Sequence, residues 1–237
     1  MHHSILCKIR EHIWVFRSLP KTIYFNFKVL PFSQAIRIPI WLYKPKFGNL
    51  TGQFILDIPE YKIRPGIICL GKNKVNIYPN SGCLIDNRGV ISFKGSCFIG
   101  NNSSISVGEK GRLEFGEDFN CTTSIKLVCY HSIVFGKHVL VGWDCLFLDT
   151  DFHSLKRNDG SKTKGYAPII IGDDVWFGCE CRVFKRTTVP SRCVISAQTI
   201  LSEALEAPEC SIIGNTRSII YKTEGYYRDF KDDIIDY

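Results

Sequence analysis

The chain has 237 residues, 45% of them hydrophobic, which suits one core domain with appendages. Its net charge of +7 is concentrated near the N terminus, because residues 1–50 contain eight Lys or Arg and one acidic residue, whereas residues 51–237 contain 22 of each sign. A charge-neutral main body argues against a nucleic-acid-binding protein, and no apolar run is long enough to span a bilayer.

The first segment, residues 1–60, is basic and aromatic. Ile5, Ile9, Ile13 and Phe16 follow the spacing of one helical face. Two roles fit this composition: a cap over the first repeat of a stacked domain, or attachment to an anionic membrane surface. The two roles are compatible, and the sequence alone leaves both open.

Apolar residues then recur every six positions. Between Leu127 and Phe135 the phase of this repeat slips by two residues. The hexads before the slip begin at Ile99, Ile105, Phe115, Cys121 and Leu127, and those after it at Phe135, Val141 and Phe147. A period of six is neither helical nor that of a simple strand. It predicts a parallel β-helix, in which three short strands and three turns make one coil of eighteen residues.

A polar stretch from 154 to 168 interrupts the hexads. It contains two Gly and four Lys or Arg, and well-phased hexads stand on both sides of it. We therefore predict a loop that leaves one corner of the β-helix, and long loops of this kind are commonly functional.

The clearest hexads follow this loop. Four of the six also carry an apolar residue or Cys at the fifth place. Their first residues are Ile171, Phe177, Val183, Val189, Ile195 and Leu201. A hexad cannot bury its apolar residue alone, so the coils must stack. The predicted organisation is an N-terminal segment 1–60, a β-helix domain 61–213 and a C-terminal tail 214–237.

The eleven cysteines show no metal-ligand spacing. Several of them, such as Cys121, Cys181 and Cys193, occupy first or fifth hexad places, where a small apolar side chain suits a narrow coil. We interpret them as reduced core residues of a cytoplasmic protein.

The second half of the chain resembles a known family. The segment IIIGDDVWFGCECR, the later VISAQTILSEA and the ending IIGNTRSII are similar to the closing coils of the hexapeptide-repeat acyltransferases. VGWDCLFLDTDFHSL resembles the segment with the catalytic histidine in members that O-acetylate capsule, O-antigen and exopolysaccharide sugars. The resemblance covers about residues 85–222. It implies a left-handed β-helix, a homotrimer, and acetyl-CoA bound in a groove between neighbouring subunits.

Transfer of an acetyl group from a thioester to a sugar hydroxyl needs a base that works near neutral pH, and imidazole is best matched to that task. Of six histidines, His153 stands at the mouth of the predicted loop and follows Asp149 and Asp151. In an extended chain these three side chains share one face. We therefore expect His153 to be the general base, with either carboxylate orienting its ring.

The resemblance also implies contacts with the coenzyme. Cys179 follows VWFG, where family members contact the pantetheine through the main chain, and Ala197 matches a small residue beside the same arm. Trp176 matches the family's Trp, and Ser202 stands where the family often has Thr-Lys-Asp. Ser202-Glu203-Ala204 lacks the Lys of that sequence, so Arg217 or Lys222 is left to bind the 3′-phosphate of the coenzyme.

The expected acceptor is a sugar in a nucleotide sugar, a lipid-linked oligosaccharide or a growing polysaccharide. Trp143, six residues before Asp149, is a candidate to stack on its ring. Alternatives to an O-acetyltransferase are an N-acetyltransferase of a nucleotide-linked aminosugar, a metal protein like the γ-carbonic anhydrases, and a purely structural β-helix. The expected location is the cytoplasm, at the inner face of the membrane if the N-terminal segment binds lipid.

Overall fold

A computed structural model describes residues 2–154, 158, 161–214 and 219–222. The helices lie near the N terminus: two α-helices, α1 (His2–Val29) and α2 (Phe32–Ala35), and one 3-10 helix (Glu60–Lys62). The other regular elements are strands: β1 (Ile40–Leu42), β2 (Lys46–Leu50), β3 (Gln53–Leu56), β4 (Ile68–Lys72), β5 (Cys83–Asn87), β6 (Val90–Phe93), β7 (Cys97–Gly100), β8 (Ser103–Val107), β9 (Arg112–Phe115), β10 (Phe119–Cys121), β11 (Lys126–Cys129), β12 (Ser132–Phe135), β13 (Leu140–Val141), β14 (Leu146–Leu148), β15 (Ile169–Ile171), β16 (Trp176–Phe177), β17 (Arg182–Phe184), β18 (Thr188–Val189), β19 (Val194–Ile195), β20 (Ile200–Leu201), β21 (Ile212–Gly214) and β22 (Ile219–Lys222).

The strands form three sheets, which are the three faces of a β-helix. Sheet A has the order β1-β4-β7-β10-β13-β16-β19-β21-β22, sheet B the order β2-β5-β8-β11-β14-β17-β20, and sheet C the order β3-β6-β9-β12-β15-β18. Neighbours are parallel, except that β22 is antiparallel to β21. The chain therefore visits each sheet once per coil, and the predicted left-handed parallel β-helix is confirmed.

The core consists of the apolar residues that head the hexads. In sheet A, Phe177 pairs with Ile195 and Ile195 with Ile213, each eighteen residues later. All six hexad-heading residues from Ile171 to Leu201 are buried. In sheet C the rings of Phe93, Phe115 and Phe135 stack with their planes nearly parallel. Stacking of the coils therefore buries the apolar side chains that head the hexads, which a single hexad could not bury by itself.

In the turns between strands, several non-glycine residues adopt the left-handed backbone conformation. The fourth residue of each of five consecutive hexads has φ between 56° and 73°. These residues are Asp174, Glu180, Arg186, Arg192 and Gln198. Such a conformation is unfavourable for most side chains, so the stacked coils must impose it.

Two corners of the β-helix matter for the site. The A–B corner, where the chain passes from sheet A to sheet B, contains residues 142–145, 178–181 and 196–199. The B–C corner contains residues 149–168, 185–187 and 202–204, and the predicted loop lies there, between β14 and β15.

Helix α1 covers the open edge of sheet A, which otherwise would present unpaired backbone groups. Asn26 donates to the carbonyl of Ile40 at 2.7 Å and accepts from its N–H at 3.1 Å. The hydroxyl of Thr22 donates to the carbonyl of Leu42 and accepts from its N–H, both at 3.3 Å. Ser18 accepts from the N–H of Lys44 at 3.0 Å. One polar stripe on the helix thus makes hydrogen bonds to β1 and to Lys44 that a neighbouring strand would otherwise make.

Replacement of Asn26 by Ala should destabilise the protein by about 2 kcal/mol or more, because a buried N–H and a buried C=O lose their partners. The matched control is Tyr24→Ala on the exposed side of the same helix, for which a change below about 0.5 kcal/mol is expected. Equilibrium unfolding in urea measures both. Equal midpoints for the two variants would show that the polar stripe does not hold the cap.

The β-helix begins before the predicted boundary at residue 61, because β1, β2 and β3 are already the first strands of the three sheets. Sheet A also continues into the predicted tail through β22. Among the described residues, no helix combines the length and the apolar character needed to cross a bilayer.

Candidate functional site

Most of the residues predicted for the site lie at two different corners. His153, Asp149 and Asp151 lie at the B–C corner with Ser202, whereas Trp143, Cys179 and Ala197 lie at the A–B corner. The width of sheet B separates the two groups within one chain.

Asp149 is fully buried and is held by the backbone of the preceding coil. One carboxylate oxygen accepts the N–H of Tyr130 at 2.8 Å, and the other accepts those of His131 and Ser132 at 2.8 and 2.7 Å. Burial and the adjacent Asp149 carboxylate raise the pKa of the Cys129 thiol. Asp149 therefore fixes the start of the loop to the coil before it.

The base of the loop is a short antiparallel ribbon. The N–H of Asp151 donates to the carbonyl of Gly165 at 2.7 Å, and the N–H of Ala167 donates to that of Asp149 at 3.1 Å. Between them Thr150 and Tyr166 form an antiparallel bridge. Gly165 has a φ of +72°, and a Cβ there would stand 2.8 Å from the carbonyl oxygen of His153, so a glycine is required at this turn.

Aromatic rings flank this ribbon on the coil side. The rings of Tyr130 and Phe152 meet edge to face at 4.9 Å, and those of His131 and Tyr166 lie 4.8 Å apart. These contacts, together with the backbone bonds, order both ends of the loop at the point where His153 leaves the coil.

His153 is exposed at this position. Among the described residues, no hydrogen bond joins its ring to Asp149 or Asp151. Asp149 accepts from the backbone of residues 130–132, and Asp151 pairs with Lys185. The orientation of the ring by one of these carboxylates, which the sequence predicts, therefore stays a prediction. His138 has a different environment at another turn, where its Nδ1 lies 2.9 Å from Asp174.

A cavity of about 670 Å³ opens beside the loop base. Lys185 forms an ion pair with Asp151 at 2.7 Å on its wall, with the lysine side chain 22% exposed. Ser202 also lines it, so the structure brings this predicted residue beside Asp151 rather than beside Cys179. The other lining residues are Phe184, Arg186, Glu203 and Ala204.

Lys185 was not singled out from the sequence. The register pairs Leu148 with Phe184, so the residues that follow them, Asp149 and Lys185, stand on neighbouring coils. The coil that contains the loop spans 36 residues instead of eighteen, so counting 36 residues from Asp149 leads to Lys185.

At the A–B corner, Cys179 and Ala197 occupy the same place in successive coils. Cys179 is half-buried and its carbonyl accepts the N–H of Gln198 at 2.8 Å, whereas Ala197 is exposed. A Cβ at Gly178 would stand 2.6 Å from the nitrogen of Ala197, so small residues let the coils approach here. Cys179 and Ala197 thus place two small side chains in line on this corner, which suits an extended ligand arm.

Trp143 and Trp176 lie on this side with 39% and 41% of their surfaces exposed. The carbonyl of Trp143 accepts the N–H of Glu180 at 2.7 Å. Next to Trp143, burial and the nearby Glu180 carboxylate raise the pKa of Asp144, which also contacts Tyr78 and accepts from Ser124 at 2.6 Å. Both indoles remain available to a ligand.

The pKa is raised for several of the core cysteines, whereas the hydrogen bond with Cys145 lowers that of Cys181. Burial raises the pKa of Cys83 to about 12. The Cys145 thiol is buried, donates to the carbonyl of Gly178 at 3.2 Å and has a raised pKa, chiefly because it lies against Cys181. A thiol with a raised pKa is a poor nucleophile, which argues against acyl transfer through Cys145.

Three predictions concern residues or ligands elsewhere. Arg217 lies outside the described residues, and Lys222 is the last residue of β22. In the described part of the chain, no cluster of three His, Cys, Asp or Glu side chains could hold a metal ion.

Hexads, three sheets and a loop anchored at one corner define a hexapeptide-repeat parallel β-helix. No family model matches the chain. It is 30% identical over 108 residues to an uncharacterized 24.8 kDa protein in the cps region of Klebsiella pneumoniae, which covers 45% of this chain and 47% of that protein. It is 21% identical to the putative lipopolysaccharide biosynthesis O-acetyl transferase WbbJ of Escherichia coli, over 59% of this chain and 75% of WbbJ.

A third relative is the probable acetyltransferase Rv3034c of Mycobacterium tuberculosis, 28% identical over 63% of this chain and 48% of that protein. The chain thus spans about half the length of two of these relatives. Among solved structures, the polySia specific acetyltransferase NeuO aligns with a TM-score of 0.49 and 12% identity, over 81% of this chain and 92% of NeuO. The resemblance to the hexapeptide-repeat acyltransferases, predicted from the motifs, is confirmed.

Proposed function

We propose that the protein is an acetyl-CoA-dependent O-acetyltransferase that modifies a sugar hydroxyl in the biosynthesis of a cell-surface polysaccharide. The observation that carries the proposal is the anchored loop base at one corner of the β-helix. His153 is exposed there, two residues after Asp151, which lines a cavity of about 670 Å³. The relatives named above supply the chemical context: one is a putative lipopolysaccharide O-acetyl transferase and one is encoded in a cps region.

In this mechanism a ring nitrogen of His153 accepts the proton of the acceptor hydroxyl while the hydroxyl oxygen attacks the thioester carbonyl. The tetrahedral intermediate then collapses, the C–S bond breaks, and the coenzyme leaves as a thiolate that recovers the proton from the imidazolium. Direct transfer is favoured over a covalent acyl-enzyme, since the Cys145 thiol is buried and has a raised pKa.

The pantetheine arm of acetyl-CoA would lie along the A–B corner. Cys179 would contact it through its main chain, and the small side chain of Ala197 would leave room for it. Trp143 would stack on the acceptor sugar, and Arg217 or Lys222 would bind the 3′-phosphate. Asp149 has a positioning role in this scheme, because its carboxylate is committed to the backbone of residues 130–132.

The test is incubation of the purified protein with acetyl-CoA and a panel of glycan intermediates, followed by mass spectrometry. Acetyl transfer to a hydroxyl, with release of free coenzyme A, is the expected result. Transfer to the amino group of a nucleotide-linked aminosugar instead would make the protein an N-acetyltransferase, and no transfer to any acceptor would contradict the proposal.

The separation of the two corners also supports a closed homotrimer, in which His153 of one subunit meets Cys179 and Ala197 of its neighbour. We predict that two inactive variants, His153→Ala and Ala197→Trp, regain activity when they are co-expressed. A mixed site is competent when one subunit supplies His153 and the next supplies Ala197, so random mixing should restore about a quarter of the wild-type rate.

The control is a mixture of the same two variants purified separately and combined without subunit exchange, which should stay inactive. If co-expression restores no activity although mixed trimers are isolated by affinity tags, the site lies within one chain. Light scattering that gives a mass of 27.0 kDa would contradict the trimer directly.

A further inference from the structure

Helix α1 has two faces with different chemistry. Its inner face is formed by Ser18, Thr22, Phe25 and Asn26, all buried against the first coil. Its outer face presents large apolar side chains to solvent, with exposed fractions of 72% for Phe16 and 45% for Phe27. The other members of this outer face are Leu19, Ile23 and Tyr24.

The outer face continues onto α2. The rings of Phe27 and Phe32 are 5.9 Å apart, and Phe32 and Ile36 are 70% and 59% exposed. Seven large apolar side chains are therefore contiguous at one end of the β-helix. Single exposed apolar residues are ordinary on protein surfaces, but a contiguous group of this kind marks an interaction surface.

Positive charge borders this apolar surface. Between residues 16 and 29 the helix carries Arg17, Lys21 and Lys28 and no acidic residue. Lys21 also reaches the carbonyl of Pro45 at 3.3 Å, and all three side chains are exposed. A helix with an apolar outer face and flanking cations, too polar to span a bilayer, is typical of a helix that lies in the membrane interface.

We propose that the outer face of α1, with Phe32 and Ile36, docks on an anionic lipid bilayer. The helix lies in the plane of the interface, so its apolar side chains enter the boundary between headgroups and acyl chains while the cations meet lipid phosphates. Its inner face stays hydrogen-bonded to β1. One helix thus caps the β-helix and attaches it to lipid.

The charge distribution favours lipid over a second copy of the chain. Two copies that met through this face would bring two basic N-terminal segments together, each with eight cations and one acid in its first fifty residues. An anionic membrane removes that repulsion, and each cation near its surface strengthens binding.

The experiment is co-sedimentation of the full chain with phosphatidylcholine vesicles that either lack or contain about 30 mol % phosphatidylglycerol. We expect binding to the anionic vesicles to be at least about tenfold stronger, and to weaken when NaCl rises from about 0.05 to about 0.5 M. The triple variant Phe16→Ser, Ile23→Ser, Phe27→Ser should lose at least about tenfold in binding to anionic vesicles.

The matched control removes exposed apolar side chains elsewhere, in the double variant Tyr61→Ser, Ile77→Ser. These residues are 85% and 56% exposed, and this variant should bind as the intact protein does. Because all five substituted side chains are exposed, thermal unfolding should confirm that both variants are folded.

Five outcomes would overturn the proposal. Equal binding to both kinds of vesicle, or no effect of salt, removes the role of anionic lipid. Undiminished binding by the triple variant shows that another surface is used. Absence of binding to any vesicle rejects the proposal outright. Self-association that the triple variant abolishes, without vesicle binding, would assign the face to a contact between copies of this chain.

Discussion

Substitution of His153 by Ala is expected to lower kcat by about 10²–10⁴, the usual contribution of a general base, while the folded state keeps its stability. The imidazole is exposed, and among the described contacts nothing in the core depends on it. A steady-state assay of free coenzyme A release, with acetyl-CoA and the acceptor both saturating, measures the effect.

The control for this variant is His138→Asn, because His138 stands at a turn outside the A–B and B–C corners and bonds to Asp174. Asn tolerates the positive φ of 54° at that position, so strain does not confuse the comparison. We expect His138→Asn to keep most of its activity. If the His153→Ala protein kept more than about a tenth of the wild-type turnover, His153 would not be the base.

The repeat region could be predicted from the sequence because burial there depends on a fixed period. From Ile171 onwards each coil has eighteen residues, and the spacing of the apolar residues predicts which residues pair between strands. Ile171, for example, pairs with Val189, eighteen residues later. The N-terminal coils lack this regularity. Ile40 pairs with Ile68 in sheet A and Lys46 pairs with Leu84 in sheet B, so successive strands begin 28 residues apart in one sheet and 38 in the other. No fixed period is therefore visible in the sequence of this region.

The candidate site was predictable in part. The position of His153 beside a loop follows from the break in the hexads, and the structure has that loop at the B–C corner. The contacts of Asp149 and Asp151 cannot be predicted from the alternation of side chains along an extended strand. They depend on the turn at residues 130–132, where the two-residue slip of phase lies, and on Lys185 from a later coil.

The conversion of Asp149 to Asn should destabilise the protein by about 3 kcal/mol or more, because three backbone N–H groups donate to its buried carboxylate. An amide has one acceptor oxygen, which can serve His131 and Ser132. Its NH₂ group would then face the N–H of Tyr130, donor against donor. For a chain of this length, the midpoint of thermal unfolding should fall by about 10 °C.

Asp151→Asn is the matched comparison, since it removes the same charge two residues later. Asp151 pairs with Lys185 at a partly exposed position, with side chains 45% and 22% exposed, so its loss should cost less than about 1 kcal/mol. Calorimetry on both variants distinguishes anchoring of the loop from a general need for negative charge at the B–C corner. A small and equal loss in both would show that the three bonds to Asp149 do not hold the loop base. A large loss confined to Asp149→Asn would show that the carboxylate fixes the turn at residues 130–132, and with it the point from which His153 leaves the coil.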